Sequence, residues 1–280
     1  MKTISVDKII EEVEGVCIKA NYCLGSDVFD ALNNALDTEE SQVGKNVLTQ
    51  LIENAQIAKD EGMAMCQDTG MAVFFVELGQ EVNIVGGSLT DAINEGVRRG
   101  YKKGFLRNSV VSDPLKRINT NDNTPAIIHY DIIEGDTLTI TYGAKGFGSE
   151  NMSALKMLKP SDGVEGVKKF VVETVSNAGP NPCPPIIVGV GIGGTMEKAS
   201  IMAKKAALRP LNIQSNNEDI KSMEEELLAK INKLGIGPAG LGGRNTALAV
   251  NIETFATHIA GLPVAVNINC HASRHGVIRL

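Results

Sequence analysis

The stretch from Val164 to Ala207, VEGVKKFVVETVSNAGPNPCPPIIVGVGIGGTMEKASIMAKKAA, decides the fold class. It reads as a helix to Ala178, a buried strand over Ile186–Val190, and a second helix from about Thr195 to Ala207. Such alternation favours an α/β fold. Upstream, apolar residues recur at helical spacing from Val6 to about Leu36 (Ile9, Ile10, Val13, Val16, Cys17, then Val28, Phe29, Leu32), with a break at Gly25 and Ser26, so two helices are predicted there. A third runs from about Gln42 to Asp60 and is closed by Gly62. The expectation is thus a helical N-terminal part, about residues 1–62, followed by a mixed α/β region, the whole of 1–280 forming one domain.

From Met71 the texture becomes β-branched and aromatic, with strands predicted over Ala72–Glu77 and Val82–Val85. A helix over about Ser88–Lys103 has Ser88 as N-cap and Asp91 at the capping-box position. Asn119–Thr124 reads as an exposed loop. Ile127–Ile133 and Thr137–Tyr142 read as paired strands joined through Glu134, Gly135 and Asp136, and Gly143–Gly148 as a glycine-rich loop. Beyond the opening stretch come a charged helix over about Glu218–Leu234, the glycine-rich Gly235–Gly243, and strand-like runs in Ala247–Asn269 around His258.

The chain has 280 residues, 43% of them apolar, enough for a sizeable core. Its 27 basic and 33 acidic residues are scattered and leave a net charge of -6, so neither nucleic acid nor an anionic membrane is an expected partner. Apolar runs such as Ile186–Ile192 are far shorter than the roughly 20 residues a bilayer span needs. Met1–Glu14 alternates charge with Ile and Val as an amphipathic helix does, unlike a secretory signal, and a cytoplasmic location is expected. Five cysteines in such a chain argue against a disulfide framework and leave metal binding, catalysis or burial.

Local context separates the cysteines. Cys66-Gln67-Asp68-Thr69-Gly70 sets a thiol, an amide and a carboxylate in one turn between a helix and a strand. In Asn181-Pro182-Cys183-Pro184-Pro185 prolines pin the backbone around a cysteine, which suits a metal ligand. Asn269-Cys270-His271-Ala272-Ser273-Arg274-His275 ends an apolar strand. Any one of these thiols alone would more often be an inert buried group, and Cys17 and Cys23, on a helix among core residues, are expected to be that. Zinc modules have paired ligands, and the spacing of His271 and His275 supplies no second pair. Three dispersed thiolates fit an iron–sulfur cluster with one iron open to substrate better.

With C-Q-D-T-G at Cys66, A-K-G-F-G-S-E-N over Ala144–Asn151, P-C-P-P at Cys183, G-I-G-G-T over Gly191–Thr195 and G-P-A-G-L-G-G over Gly237–Gly243, the chain resembles the α subunit of class I, iron–sulfur-dependent fumarate hydratases, close relatives of L(+)-tartrate dehydratases. The resemblance spans essentially the whole chain. It implies that Cys66, Cys183 and Cys270 bind a [4Fe-4S] cluster whose fourth iron is open, acting as Lewis acid in a hydro-lyase for a small dicarboxylate. It also implies that Gln67 and Asp68 contact substrate, that Asp68 takes part in proton transfer, and that Arg107 pairs with a substrate carboxylate, a task its planar fork suits. Gly146 and Gly148 would lie in the loop closest to substrate, and His258 would be a catalytic histidine. Lys145 is a candidate anion attractor; His129 is expected to be structural.

In the family a second, swivelling β domain completes the site. That domain is absent from this chain, so a separate β subunit in an α2β2 heterotetramer is expected. Fumarate to (S)-malate is the leading reaction, with tartrate dehydration the nearest competitor, since the G-F-G-S-E-N loop is fumarase-like and lacks the cysteine of tartrate enzymes. A cluster scaffold without turnover would not need Asp68, Arg107 and His258, and a zinc hydrolase would be active in air.

Overall fold

Ser5 decides where the first helix begins: its hydroxyl accepts the Lys8 N–H at 3.3 Å, so the chain turns helical at Val6 while the residues before it stay extended. In the computed structural model, which describes residues 2–280, the order is β1 (Lys2–Ser5), α1 (Val6–Tyr22), α2 (Ser26–Thr38), α3 (Gln42–Glu61), β2 (Met71–Gly79), β3 (Val82–Val85), α4 (Leu89–Lys103), β4 (Ile127–Ile133), β5 (Leu138–Lys145), α5 (Phe147–Glu150), β6 (Ala154–Leu158), α6 (Gly163–Ala178), β7 (Ile186–Gly193), α7 (Met196–Ala206), α8 (Glu218–Asn232), β8 (Ala247–Phe255), β9 (Leu262–Asn269) and β10 (Arg274–Arg279). The α/β class is as expected. The helix predicted from Met1 is not, because Lys2–Ser5 pairs in parallel with β3; Met1 itself lies outside the described residues. No helix among the described residues is long and apolar enough to cross a membrane.

Contacts divide the chain into two compact units, one of Met1–Gly25, Asn54–Phe147 and Arg274–Leu280, the other of Ser26–Glu53 and Gly148–Ser273. The helical stretch 1–62 is shared between them. The first unit holds a sheet in the order β10-β5-β2-β4. Here β4 and β5, expected as a hairpin, are not partners: β2 lies between them, parallel to β4 and antiparallel to β5. The connecting residues cross the end of β2, where Gly79 N–H donates to Thr137 O (3.0 Å), Gln80 N–H to Ile133 O (2.9 Å) and Glu81 N–H to Gly135 O (2.9 Å). A Cβ on Gly79 would sit 2.4 Å from Gly135 O. Two inter-strand spacings amount to about 10 Å, within reach of residues 134–137 at about 3.3 Å each.

Helices α1 and α4 pack together in the core that covers this sheet, with Ile9, Val13, Cys17, Phe74, Ile93, Tyr101, Ile140 and Tyr142 all buried. Gly96 and Gly100 permit the approach, since added Cβ atoms would lie 2.6 Å from Val13 Cβ and 2.9 Å from Cys17 Cβ. Burial pushes the Cys17 thiol up to about 12, against a smaller opposing hydrogen bond from Tyr142. Cys23, expected in the core as well, is half-buried and lies at the C-terminal cap of α1.

The second unit is a sheet in the order β6-β9-β7-β8. Its central strand explains the V-G-V-G run in the opening stretch. Val188 and Val190 face Val171 and Val175 of α6 and Leu227 and Ile231 of α8. Gly189 and Gly191 face α7 so closely that a Cβ would lie 2.1 Å from Ala203 O or Ala199 O respectively. Gly191, the first glycine of the G-I-G-G-T motif, is therefore a packing position.

Glu39, buried just beyond α2, holds the residues that follow the glycine-rich segment 237–243. One carboxylate oxygen accepts the N–H groups of Glu40 and Ser41 (each 3.0 Å) and of Arg244 (2.9 Å), and the other accepts the N–H and side-chain amide of Asn245 (each 2.9 Å). Burial alone would raise its pKa, but the hydrogen bonds outweigh that and hold it down at about 2, against an ordinary 4.5. A depressed folded-state value means stability that is complete above about 4.5 and lost as pH falls through about 2. Glu39→Gln is expected to cost about 3 kcal/mol at neutral pH. Urea unfolding near pH 7 and near pH 3 should show the gap to wild type narrowing on the acid side.

Candidate functional site

The C-Q-D-T-G turn joins α3 to β2 and is tied down from several directions within the first unit. Met65 N–H donates to Asn21 O (3.1 Å), and the Asn54 side chain donates to Met65 O (2.8 Å). Tyr101 OH donates to Thr69 O (2.9 Å) and Gly70 O (3.0 Å). Burial raises the Tyr101 pKa, keeping the hydroxyl protonated as the donor. Gly70 has φ +78°, and a Cβ there would lie 2.8 Å from Lys145 N, so this position demands glycine.

Asp68 is half-buried. One carboxylate oxygen accepts the Gly70 N–H (3.0 Å) and the other the Phe147 N–H (2.9 Å). The carboxylate is therefore a turn cap in addition to any chemistry, and each oxygen keeps a further lone pair for a ligand. Thr69 locks the turn to the next predicted residue: its hydroxyl accepts the Arg107 N–H (2.9 Å) and donates to Arg107 O (3.2 Å). Cys66, Gln67 and Arg107 then line one cavity of about 480 Å³ with Tyr22, Met63 and Phe105. Gln67 and Arg107 are exposed, Cys66 half-buried.

In the second unit, Cys183 and Cys270 stand on neighbouring loops. The backbone N–H of His271 meets Cys183 O at 3.5 Å, and its ring Nδ1 lies 3.0 Å from the same oxygen. Cys183 is exposed and has φ +57°, a left-handed conformation that costs a non-glycine residue about 1–2 kcal/mol. The pinning prolines hold it there, with Cys183 N–H to Pro180 O (3.1 Å) and Ala239 N–H to Pro184 O (2.9 Å). Gly148 is next to this loop, its Cβ position 3.8 Å from Asn181 O. Cys270, half-buried, follows directly on β9.

His258 is exposed in the turn from β8 to β9 and so is not a core histidine. Its Nδ1 accepts the Ala260 N–H (3.2 Å), so a neutral ring carries its proton on Nε2. Ring stacking of His129 on Phe75 (centroids 5.1 Å apart) fits a structural role. Lys145, a loose candidate for an anion, is buried and donates to Gly146 O (3.0 Å).

Sequence reasoning missed the groups that hold the turn. Asn123, in the stretch read as exposed loop, is buried; its side chain donates to Gly70 O (3.2 Å) and accepts the Ser109 N–H (2.7 Å). A run of Asn and Asp marks loops in general, so only its depth distinguishes it. The thiols themselves differ in access, and brief iodoacetamide treatment of the chain under anaerobic conditions is expected to modify Cys183 first and to spare Cys17, as mapped by peptide mass spectrometry.

With this geometry in hand, comparison with known proteins is decisive about kinship. A family model described as Fumarate hydratase (Fumerase) matches residues 10–279. The chain belongs to the fumarate hydratase (Fumerase) family. A Methanocaldococcus jannaschii protein provisionally named L(+)-tartrate dehydratase subunit alpha is 45% identical to it over 281 residues, 98% of this chain and 98% of that one. The L(+)-tartrate dehydratase subunit alpha of Escherichia coli is 35% identical over 280 residues, 99% of this chain and 92% of its own. Removal or addition of water is the chemistry these names share.

Cys66 in the first unit, and Cys183 and Cys270 in the second, are each a thiol outside any disulfide at a loop or strand end, the kind of soft donor that iron–sulfur clusters take. Among the described residues no three His, Cys, Asp or Glu side chains converge to hold a single metal ion.

Proposed function

We propose that the chain is the cluster-binding α subunit of a hydro-lyase that reversibly adds water to fumarate, giving (S)-malate. The observation that carries this is the cavity where Cys66, Gln67 and Arg107 meet, with Thr69 fixing the arginine to the cysteine turn. A thiol, an amide and a guanidinium around one hollow form a site for a carboxylate ligand beside a metal. Cys66, Cys183 and Cys270 would hold a [4Fe-4S] cluster, and when bound it supplies an open iron as Lewis acid toward the hydroxyl being added or lost.

The rest falls to the chain's own groups. Arg107 pairs its fork with one substrate carboxylate, and Gln67 donates to a substrate oxygen. The Gly148 backbone lets the substrate approach where a side chain would obstruct it. Asp68, its carboxylate fixed by two backbone amides, moves a proton at the carbon next to the hydroxyl, and His258 offers Nε2–H to the same acid–base step. A separate β subunit completes the site in an α2β2 assembly in the cytoplasm; the need for a partner subunit is supported by the names of the relatives, which are α subunits.

Those names also favour a second reading, L(+)-tartrate dehydration to oxaloacetate by the same residues. The G-F-G-S-E-N loop over Gly146–Asn151 supports fumarate. Co-expression with a candidate β subunit, anaerobic reconstitution, and parallel assays of fumarate hydration and tartrate dehydration test both. Activity on fumarate is expected; activity on tartrate alone overturns the substrate choice.

A further inference from the structure

Arg274 is a fully buried arginine in the first unit, at the start of β10 and four residues after Cys270 in the chain. Burying a guanidinium is costly unless its donors are used with good geometry, so the target of those donors is informative. One terminal nitrogen donates to the main-chain carbonyl of Asp68 at 2.6 Å and to the side-chain oxygen of Asn21 at 3.1 Å. Asn21, also fully buried, spends its amide nitrogen on Cys17 O (2.9 Å) and Tyr142 OH (3.5 Å), and its backbone oxygen on Met65 N–H (3.1 Å). The arginine therefore grips the turn through its Asp68 peptide, and through Asn21 it is linked to the residue before Cys66.

The other terminal nitrogen and the Asp68 carboxylate both border the space beside the Gly146 Cα. The Cβ position of Gly146 is 3.1 Å from Asp68 Oδ2 and 3.5 Å from that nitrogen. The Asp68 peptide is thus held by the guanidinium of Arg274, and Gly146 leaves beside the Asp68 carboxylate and that guanidinium the space that a side chain would fill.

We infer that Arg274 is a positioning residue of the reaction, holding the Asp68 peptide so that its carboxylate stays capped by Gly70 and Phe147 and aimed for proton transfer. The inference rests on the reading above that Asp68 moves a proton. A displacement of about 1 Å in such a group costs about 10²-fold in rate. Arg274→Lys keeps the charge but loses the planar fork and is shorter, so its ammonium falls short of the place where one guanidinium nitrogen meets both acceptors.

Two measurements test it on Arg274→Lys and Arg274→Met. In the full chain without partner, amide hydrogen exchange over residues 65–70 and at Phe147 is expected to quicken at least about tenfold relative to wild type, while β7 amides are unchanged. In the reconstituted complex with the β subunit, kcat per iron-loaded site is expected to fall about 10- to 100-fold, with KM for fumarate within about threefold because Arg107 keeps its tie to Thr69. A purely structural arginine would lower the melting temperature and the loaded fraction and leave kcat per loaded site intact, and that result overturns the proposal even if Arg274→Met fails to fold, since Arg274→Lys retains the charge. Unchanged exchange overturns it too. Quickened exchange with a wild-type complex inactive on both dicarboxylates would leave the positioning contact standing and sink the assigned reaction.

Discussion

Asp68→Asn is expected to lower kcat by about 10²- to 10⁴-fold, the usual contribution of a positioned acid–base group, with a modest loss of stability. The substitution keeps shape but replaces one carboxylate oxygen by an NH₂ donor, so either Gly70 N–H or Phe147 N–H loses its acceptor. Leaving such a donor unsatisfied costs about 1–3 kcal/mol. The two roles of the carboxylate therefore separate by measurement. Thermal melting reports the cap, and turnover per loaded site reports proton transfer. A variant that melts early but turns over at the wild-type rate would reduce Asp68 to a turn residue.

Single replacements Cys66→Ser, Cys183→Ser and Cys270→Ser are each expected to remove most of the iron and acid-labile sulfide bound after anaerobic reconstitution. Serine offers a hard, weakly acidic oxygen where the cluster needs a thiolate. Cys183 is exposed, so its replacement should leave the fold intact and isolate the ligand effect. Cys17→Ser is the matched control: it buries a hydroxyl among α1 and α4 residues, which should cost about 1–3 kcal/mol in urea unfolding while leaving the iron content unchanged. Equal iron in all three ligand variants would end the cluster assignment.

Much of the fold was legible locally. The Ser88 cap is where its spacing predicts, accepting the Asp91 N–H at 3.3 Å, and the helices on either side of β7 begin and end within a residue or two of their expected bounds. The exceptions share a cause. Ile127–Ile133 and Leu138–Lys145 have the pattern of a hairpin, yet β2 intervenes, because strand pattern specifies which face is buried and not which strand is the neighbour. Lys2–Ser5 fits a helical and an extended period alike over so short a run.

The site divides in the same way. Gln67, Asp68 and Cys66 are legible because one turn carries all three; Arg107 is reached only through the family resemblance, because an arginine after a helix is by itself ordinary solvated surface. Their supports are not. Asn21, Asn54, Tyr101, Asn123 and Arg274 reach the turn from distant parts of the chain, and each belongs to a residue type that elsewhere would be surface or ordinary core. A buried arginine in particular has no sequence signature, since its burial depends on partners supplied by other elements.

By itself, the sequence determined the α/β class, most helix limits and the set of dispersed thiols with their polar companions, because caps, periodicity and turn chemistry act over a few residues. Tertiary structure alone decided that β2 separates β4 from β5, that Thr69 binds the Arg107 backbone, and that Arg274 and Asn123 converge on the Asp68 turn. Those are hydrogen bonds between groups far apart in the chain, and they exist only where packing brings a buried donor and its acceptor together away from competing water.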